Sequence, residues 1–263
     1  SLEEEIYPDI VFLCVPSSAV RDTCIMILKL SEWSNPTIVS TAKGFEYPSL
    51  KRMSQIIEEV VNIEPIIFSG PTFAAEMVIS APSSVTIAGT NPSNTSIVEE
   101  ALSSEFFIVE KSSDIIGVEL CSVLKNIYSI AFGICEGIDI NDNAKYAIFT
   151  KSFQEMKKIV KSAGGCPETV DSFCGLGDLS LTSASRRSRN YTLGMLYGKR
   201  IVIDEESTGI LFEGKKSILG IKKMCEIIGI SAPVLDFIHS ITIDKINAHV
   251  AFKSLWNDMR FMS

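Results

Sequence analysis

Between Ile115 and Cys135 the chain is almost wholly apolar, and only Glu119 and Lys125 carry charge. On a helix, residues three, four, seven and eight away from Lys125 share its face. They are Gly117, Val118, Cys121, Ser122, Tyr128, Ser129, Phe132 and Gly133. Many are small, which predicts a lysine looking into space that a ligand fills. Burial penalises the ammonium form and lowers a lysine's pKa, which makes it usable for proton transfer near neutrality. The plainer alternative is a lysine whose stem lies along apolar surface while its head reaches water.

A second cluster is GLGDLSLTSASRRSRN, residues 175–190. Asp178 and Thr182 are four apart and share a helical face. Gly175 and Gly177 would let backbone approach a ligand closely. Ser188 suits the N-cap of a helix opening at Arg189, where free N–H groups, a dipole end and a guanidinium together make a phosphate site. A capped surface helix with a solvated arginine is the alternative. Lys43, in AKG at 42–44, follows an apolar strand and sits where ligands bind in open α/β sheets, unless it is simply a solvated turn lysine. GPTFAAE at 70–76 also leaves a strand and opens a helix, so its amides could hold an anion, although Gly-Pro turns are common.

These residues need elements to hold them. Five short β-branched runs (10–16, 37–44, 66–71, 84–89 and 106–111) alternate with helical stretches at 18–30, 48–62, 72–79 and 93–103. Strands with little polar alternation predict a sheet covered on both faces, and their alternation with helices predicts a doubly wound α/β domain over 1–112. From 113 to 263 the pattern is a mostly α-helical domain, with helices at 113–138, 142–163, 189–198, 208–229 and 232–250. Only IVI at 201–203 looks strand-like there.

Composition narrows the function classes. The 263 residues are 46% hydrophobic with a net charge of −8, and no basic run exceeds short pairs such as Arg186-Arg187, which argues against a nucleic-acid surface. Seven cysteines form no CxxC pair, which predicts reduced thiols in a cytoplasmic protein. Two histidines, His239 and His249, argue against a multi-histidine metal site. The opening SLEEEIYPDI has no signal-peptide character. The 115–135 run has the length of a membrane span, but Glu119, Lys125 and Asn126 would be costly in lipid.

Taken in order, VPS (15–17), STAKG (40–44), SGPTFAAE (69–76), GVELCSVLKN (117–126), GLGDLSLT (175–182), SRN (188–190) and FEG (212–214) resemble the bacterial type of NAD(P)-dependent glycerol-3-phosphate dehydrogenase. The resemblance spans the whole chain and implies a partial, Rossmann-like nucleotide-binding domain followed by a helical substrate domain. It implies interconversion of sn-glycerol 3-phosphate and dihydroxyacetone phosphate with NAD or NADP, in a cytoplasmic homodimer that feeds phospholipid synthesis. Carried over by position, it makes Lys125 the general acid–base. Lys43, Gly70, Thr72, Asp178, Thr182, Ser188, Arg189 and Asn190 become substrate-binding residues. Lys43, Ala74, Arg189, Leu211 and Glu213 fall against the cofactor.

One departure stands out. By the family's plan a strand and a GxGxxG turn seat the pyrophosphate, and roughly 65 residues precede the first strand seen here. No GxGxxG occurs in this sequence. A removed leading part, a fragmentary gene and a protein that has lost the activity would each account for this, and the intact downstream motifs favour the first. Weak cofactor binding and an open, aggregation-prone sheet edge are then expected. Two other readings stay open: a related two-domain hydroxy-acid dehydrogenase, which the SRN phosphate grip disfavours, and a non-catalytic binder of phosphate metabolites.

Overall fold

A computed structural model describes residues 8–29, 36–201 and 213–260. Its first part is a five-stranded sheet of β1 (Ile10–Leu13), β2 (Thr37–Ser40), β5 (Ile66–Ser69), β6 (Ser83–Ala88) and β7 (Phe107–Ser112), in that order across the sheet. Every residue of β2 is buried, as a central strand covered on both faces requires. Helices α1 (Val20–Leu28), α2 (Met53–Val61), α3 (Ala74–Met77) and α4 (Pro92–Leu102) connect the strands.

The sheet is mixed. β1, β2 and β5 run parallel, but β6 returns antiparallel to β5, with Phe68 opposite Ile87. A parallel return needs a crossover that spans the sheet. The connection here carries only the one-turn helix α3, so β6 starts where β5 ends. That keeps the 70–76 turn at the carboxyl edge. β1 is an edge strand and pairs only with β2 among the described strands.

The expected helix over 48–62 is shorter, because 45–52 instead forms a small antiparallel hairpin of β3 (Phe45–Glu46) and β4 (Lys51–Arg52). The expected helix over 232–250 is two helices, α10 (Pro233–Thr242) and α11 (Ala248–Asp258). Lys245 has φ 61°, and the Asn247 side chain accepts from His249 N and Val250 N, so one helix ends and another is capped. Residues 202–203 of the IVI run, and 208–212 of the helix expected over 208–229, lie outside the described residues.

The second part is built around α5 (Ile115–Gly137). It packs against α6 (Asp142–Ser162), α7 (Asp178–Ala184), α8 (Arg189–Gly198), α9 (Glu213–Ile228) and α10. Nineteen consecutive residues, Gly117 to Cys135, are buried. The helix is long and apolar enough to cross a membrane, but it is the core of the helical part and is covered by protein on all sides.

Candidate active site

Lys125 is buried, 8% exposed, in the middle of α5. Its Nζ donates to Asp178 Oδ1 at 3.0 Å and to Thr182 Oγ1 at 3.1 Å. Thr182 Oγ1 in turn donates to Asp178 Oδ1 at 3.1 Å, as their four-residue spacing on α7 allows. Lys43, between β2 and β3, places its Nζ 3.6 Å from the other carboxylate oxygen, Asp178 Oδ2. One buried aspartate is thus shared by two lysines from the two parts of the chain. Burial, then the neighbouring Lys43 charge, lowers the Lys125 pKa from 10.5 to about 8, against the opposing pull of Asp178.

The turn before Asp178 is a single wide helical turn, Phe173–Gly177, with the i→i+5 character often found at functional sites. It is pinned to the sheet: Cys174 N donates to Thr86 Oγ1, and Phe173 N and Thr86 Oγ1 donate to Glu110 Oε2. Gly177 faces Pro71, since a Cβ there would stand 3.7 Å from the proline ring. The Gly70–Thr72 turn therefore lies against the Asp178 segment. Gly70 itself is closely packed, because a Cβ would come 2.7 Å from the Ser84 carbonyl oxygen. Thr72 Oγ1 donates to Gly70 O.

Two expectations about small residues change. A Cβ at Gly133 would stand 1.9 Å from Tyr191 O, and one at Gly194 would stand 2.1 Å from Ile130 O. These glycines let α5 and α8 touch backbone to backbone, as small residues do in close helix crossings. The room beside this part of α5 is filled by α8 and not by a ligand. A Cβ at Gly175 would likewise stand 2.1 Å from Val170 O, so protein backbone takes the place a ligand was expected to approach.

The same contacts orient α8. Gly133 meets Tyr191 and Gly137 meets Met195, so the start of α8 lies toward the Lys125 half of α5. There Ser188 caps the helix, its Oγ accepting from Tyr191 N. Arg189 is exposed and forms no ion pair among the described residues. Arg187 reaches instead to Glu76 on α3 at 2.5 Å and ties this turn to the sheet part. Ala74 is exposed at the start of α3. Leu211 lies outside the described residues, as does the side chain of Glu213.

Two buried oxygens in these segments, Asp178 Oδ2 and Asn190 Oδ1, have no hydrogen-bond partner among the described residues. Asp178 Oδ2 has only the longer ion pair with Lys43, and a buried polar atom without a hydrogen bond is costly unless a ligand or water meets it. Two lysines on one buried carboxylate, with an oxygen left open beside them, suit an oxygen-rich ligand and proton exchange with it. The turn that would seat a pyrophosphate is not in this sequence.

Sequence reasoning missed what Glu119 does. Its carboxylate accepts from Ser54 N, Ser54 Oγ and Arg52 Nη1 at the start of α2. Its position in an apolar helix signalled a buried partner, but Ser54 and Arg52 are far away in sequence and leave no local pattern. Glu155 was missed too: it accepts from Tyr128 OH and from Val234 N and Leu235 N at the start of α10, and burial raises its pKa to about 7.

A Rossmann-like sheet whose carboxyl edge meets a buried lysine on a helical part is the plan of two-domain, nucleotide-dependent dehydrogenases. The family model for the NAD-dependent glycerol-3-phosphate dehydrogenase C-terminus matches residues 114–253, and the model for its N-terminus matches 3–95. A Clostridium botulinum glycerol-3-phosphate dehydrogenase, NAD(P)+, is 32% identical over 247 residues, 93% of this chain and 74% of that protein. Its Methanothermobacter thermautotrophicus counterpart is 36% identical over 250 residues, 95% of this chain and 75% of that one. The crystal structure of glycerol-3-phosphate dehydrogenase from Coxiella burnetii superposes with a TM-score of 0.87 at 28% identity, over 94% of this chain and 77% of that one. The chain belongs to the NAD-dependent glycerol-3-phosphate dehydrogenase family and is an NAD(P)-dependent oxidoreductase.

Proposed function

We propose that Lys125 is the proton-transfer group in the interconversion of dihydroxyacetone phosphate and sn-glycerol 3-phosphate. The observation that carries this reading is the buried Lys125–Asp178–Thr182 cluster with Lys43 on its far side. Bound NAD(P)H supplies the hydride that adds to the C2 carbonyl carbon. Lys125 gives its proton to the C2 oxygen in that direction and takes it back in the other. Asp178 and Thr182 hold the lysine in place. Lys43 polarises the substrate from the sheet side and lowers the proton affinity of Lys125. Arg189, with the amides around Ser188 and Asn190, holds the phosphate, and Gly70 and Thr72 line the substrate site. The family resemblance supports Ala74, Leu211 and Glu213 as cofactor-binding residues, with Lys43 and Arg189 touching the cofactor as well.

The nucleotide part is residues 1–112 and the substrate part 113–263. The division falls after β7 and before Asp114, whose carboxylate caps α5. The family resemblance supports a cytoplasmic homodimer whose product enters phospholipid synthesis. The test is reduction of dihydroxyacetone phosphate by NADH and NADPH, measured on the full product of the gene. Turnover that disappears in Lys125→Met supports the reading. Turnover retained in that variant refutes the role of the lysine, and no turnover in the unmodified protein refutes the activity.

A further inference from the structure

Lys43 acts on Asp178 from a loop, and a loop lysine needs an anchor. On one side β2 fixes the loop, with Thr41 N donating to Leu13 O at 3.2 Å. Gly44 follows with φ +156°, and a side chain there would strike Ser17 Oγ. On the other side Phe45 pairs with Arg52 across the β3–β4 hairpin. Arg52 Nη1 donates to Glu119 Oε2 at 2.5 Å, and Ser54 donates to both oxygens of the same carboxylate, from N at 2.8 Å and from Oγ at 2.6 Å. Glu119 is buried on α5, six residues before Lys125. The two lysines that share Asp178 are therefore joined by a continuous path: Lys43, Phe45, Arg52, Glu119, α5, Lys125.

We propose that Glu119 and Arg52 are positioning residues: they fasten the Lys43 loop to the helix that carries Lys125, so that both ammonium groups stay on Asp178. Among the described residues, neither forms a hydrogen bond or ion pair with Lys125 or Asp178. A buried carboxylate held by three donors is a rigid tie, and removing a donor leaves it poorly compensated. The charged groups facing Lys125 are Asp178 from α7 and Lys43 from this loop. Loosening the loop withdraws the like charge and leaves the opposite one. This inference rests on the reading of Lys125 as the proton-transfer group, but its test does not need turnover.

The experiment is the titration of Lys125 by NMR of the protein with 13C-labelled lysine, assigned through Lys125→Met. Lys43→Met is expected to raise the Lys125 pKa by roughly half a unit to one unit. Arg52→Met and Glu119→Gln should raise it in the same direction, Arg52→Lys should sit close to the unmodified protein, and adding Arg52→Met to Lys43→Met should give no further rise. If Arg52→Met or Glu119→Gln fails to fold, Ser54→Ala serves instead: it removes the hydroxyl contact to the carboxylate, keeps the backbone one, and should give a smaller rise. An unmoved Lys125 titration in the folded variants, or equal shifts with and without Lys43, overturns the proposal. Retained turnover in Lys125→Met would instead overturn the function on which it rests.

Discussion

At the scale of the residue, Lys125 is under opposed influences. Asp178 at 3.0 Å favours the ammonium, while burial and the Lys43 charge disfavour it, and the balance leaves its pKa at about 8. A group with that value can give a proton in reduction and accept one in oxidation near neutral pH. Reduction of dihydroxyacetone phosphate should accordingly fall as pH rises through about 8, and oxidation of glycerol 3-phosphate should rise over the same range, as read from kcat profiles. Stability follows the same sign. The folded pKa lies below the ordinary 10.5, so charged Lys125 opposes folding below pH 8, and this penalty is relieved as pH rises from 8 toward 10.5. Arg189→Ala should raise KM for the phosphate substrate by about 10- to 100-fold, with kcat much less affected, since a charge-assisted phosphate contact is lost. An unchanged KM would remove Arg189 from the phosphate site. Lys125 was legible in the sequence because a lone cation in an apolar helix is anomalous. Asp178 and Thr182 were legible as neighbours on one helical face, but their hydrogen bonds to Lys125 join distant stretches of chain and needed the fold.

At the scale of the element, α5 and α8 meet through glycines. Gly133→Ala would put a methyl against Tyr191 O, so a loss of about 2 kcal/mol or more is expected from urea denaturation, with α8 and its capping residue Ser188 shifted. An unchanged midpoint would show a looser crossing with room for the methyl. Glu155 provides a second check. Its folded pKa, about 7, exceeds the ordinary 4.5, so its contribution to stability is fully present below pH 4.5 and is lost as pH rises toward 7. Glu155→Gln should lose less stability than the unmodified protein between pH 4.5 and 7. Most helices could be read from periodicity and caps. The β3–β4 hairpin could not, because two-residue strands carry no period. Nor could the role of the glycines on α5: smallness fits ligand space and a helix crossing equally, and only the partner helix decides.

At the scale of the whole molecule, the site is assembled from both parts. Lys43 and the Gly70–Thr72 turn come from the carboxyl edge of the sheet, and Lys125, Asp178 and the start of α8 come from the helical part. On the proposed reading the substrate lies between the two parts, with Lys125 as proton donor on one side and the sheet on the other. The mixed strand order serves it, since the antiparallel β6 keeps the 70–76 turn beside Asp178. The most direct test is kcat for NAD(P)H-dependent reduction of dihydroxyacetone phosphate across pH, in the full gene product and in Lys125→Met. A folded variant with kcat lower by about 10²- to 10⁴-fold and no pH limb near 8 is predicted. A variant within about tenfold of the unmodified protein, with the same pH limb, would contradict Lys125 as the proton-transfer group.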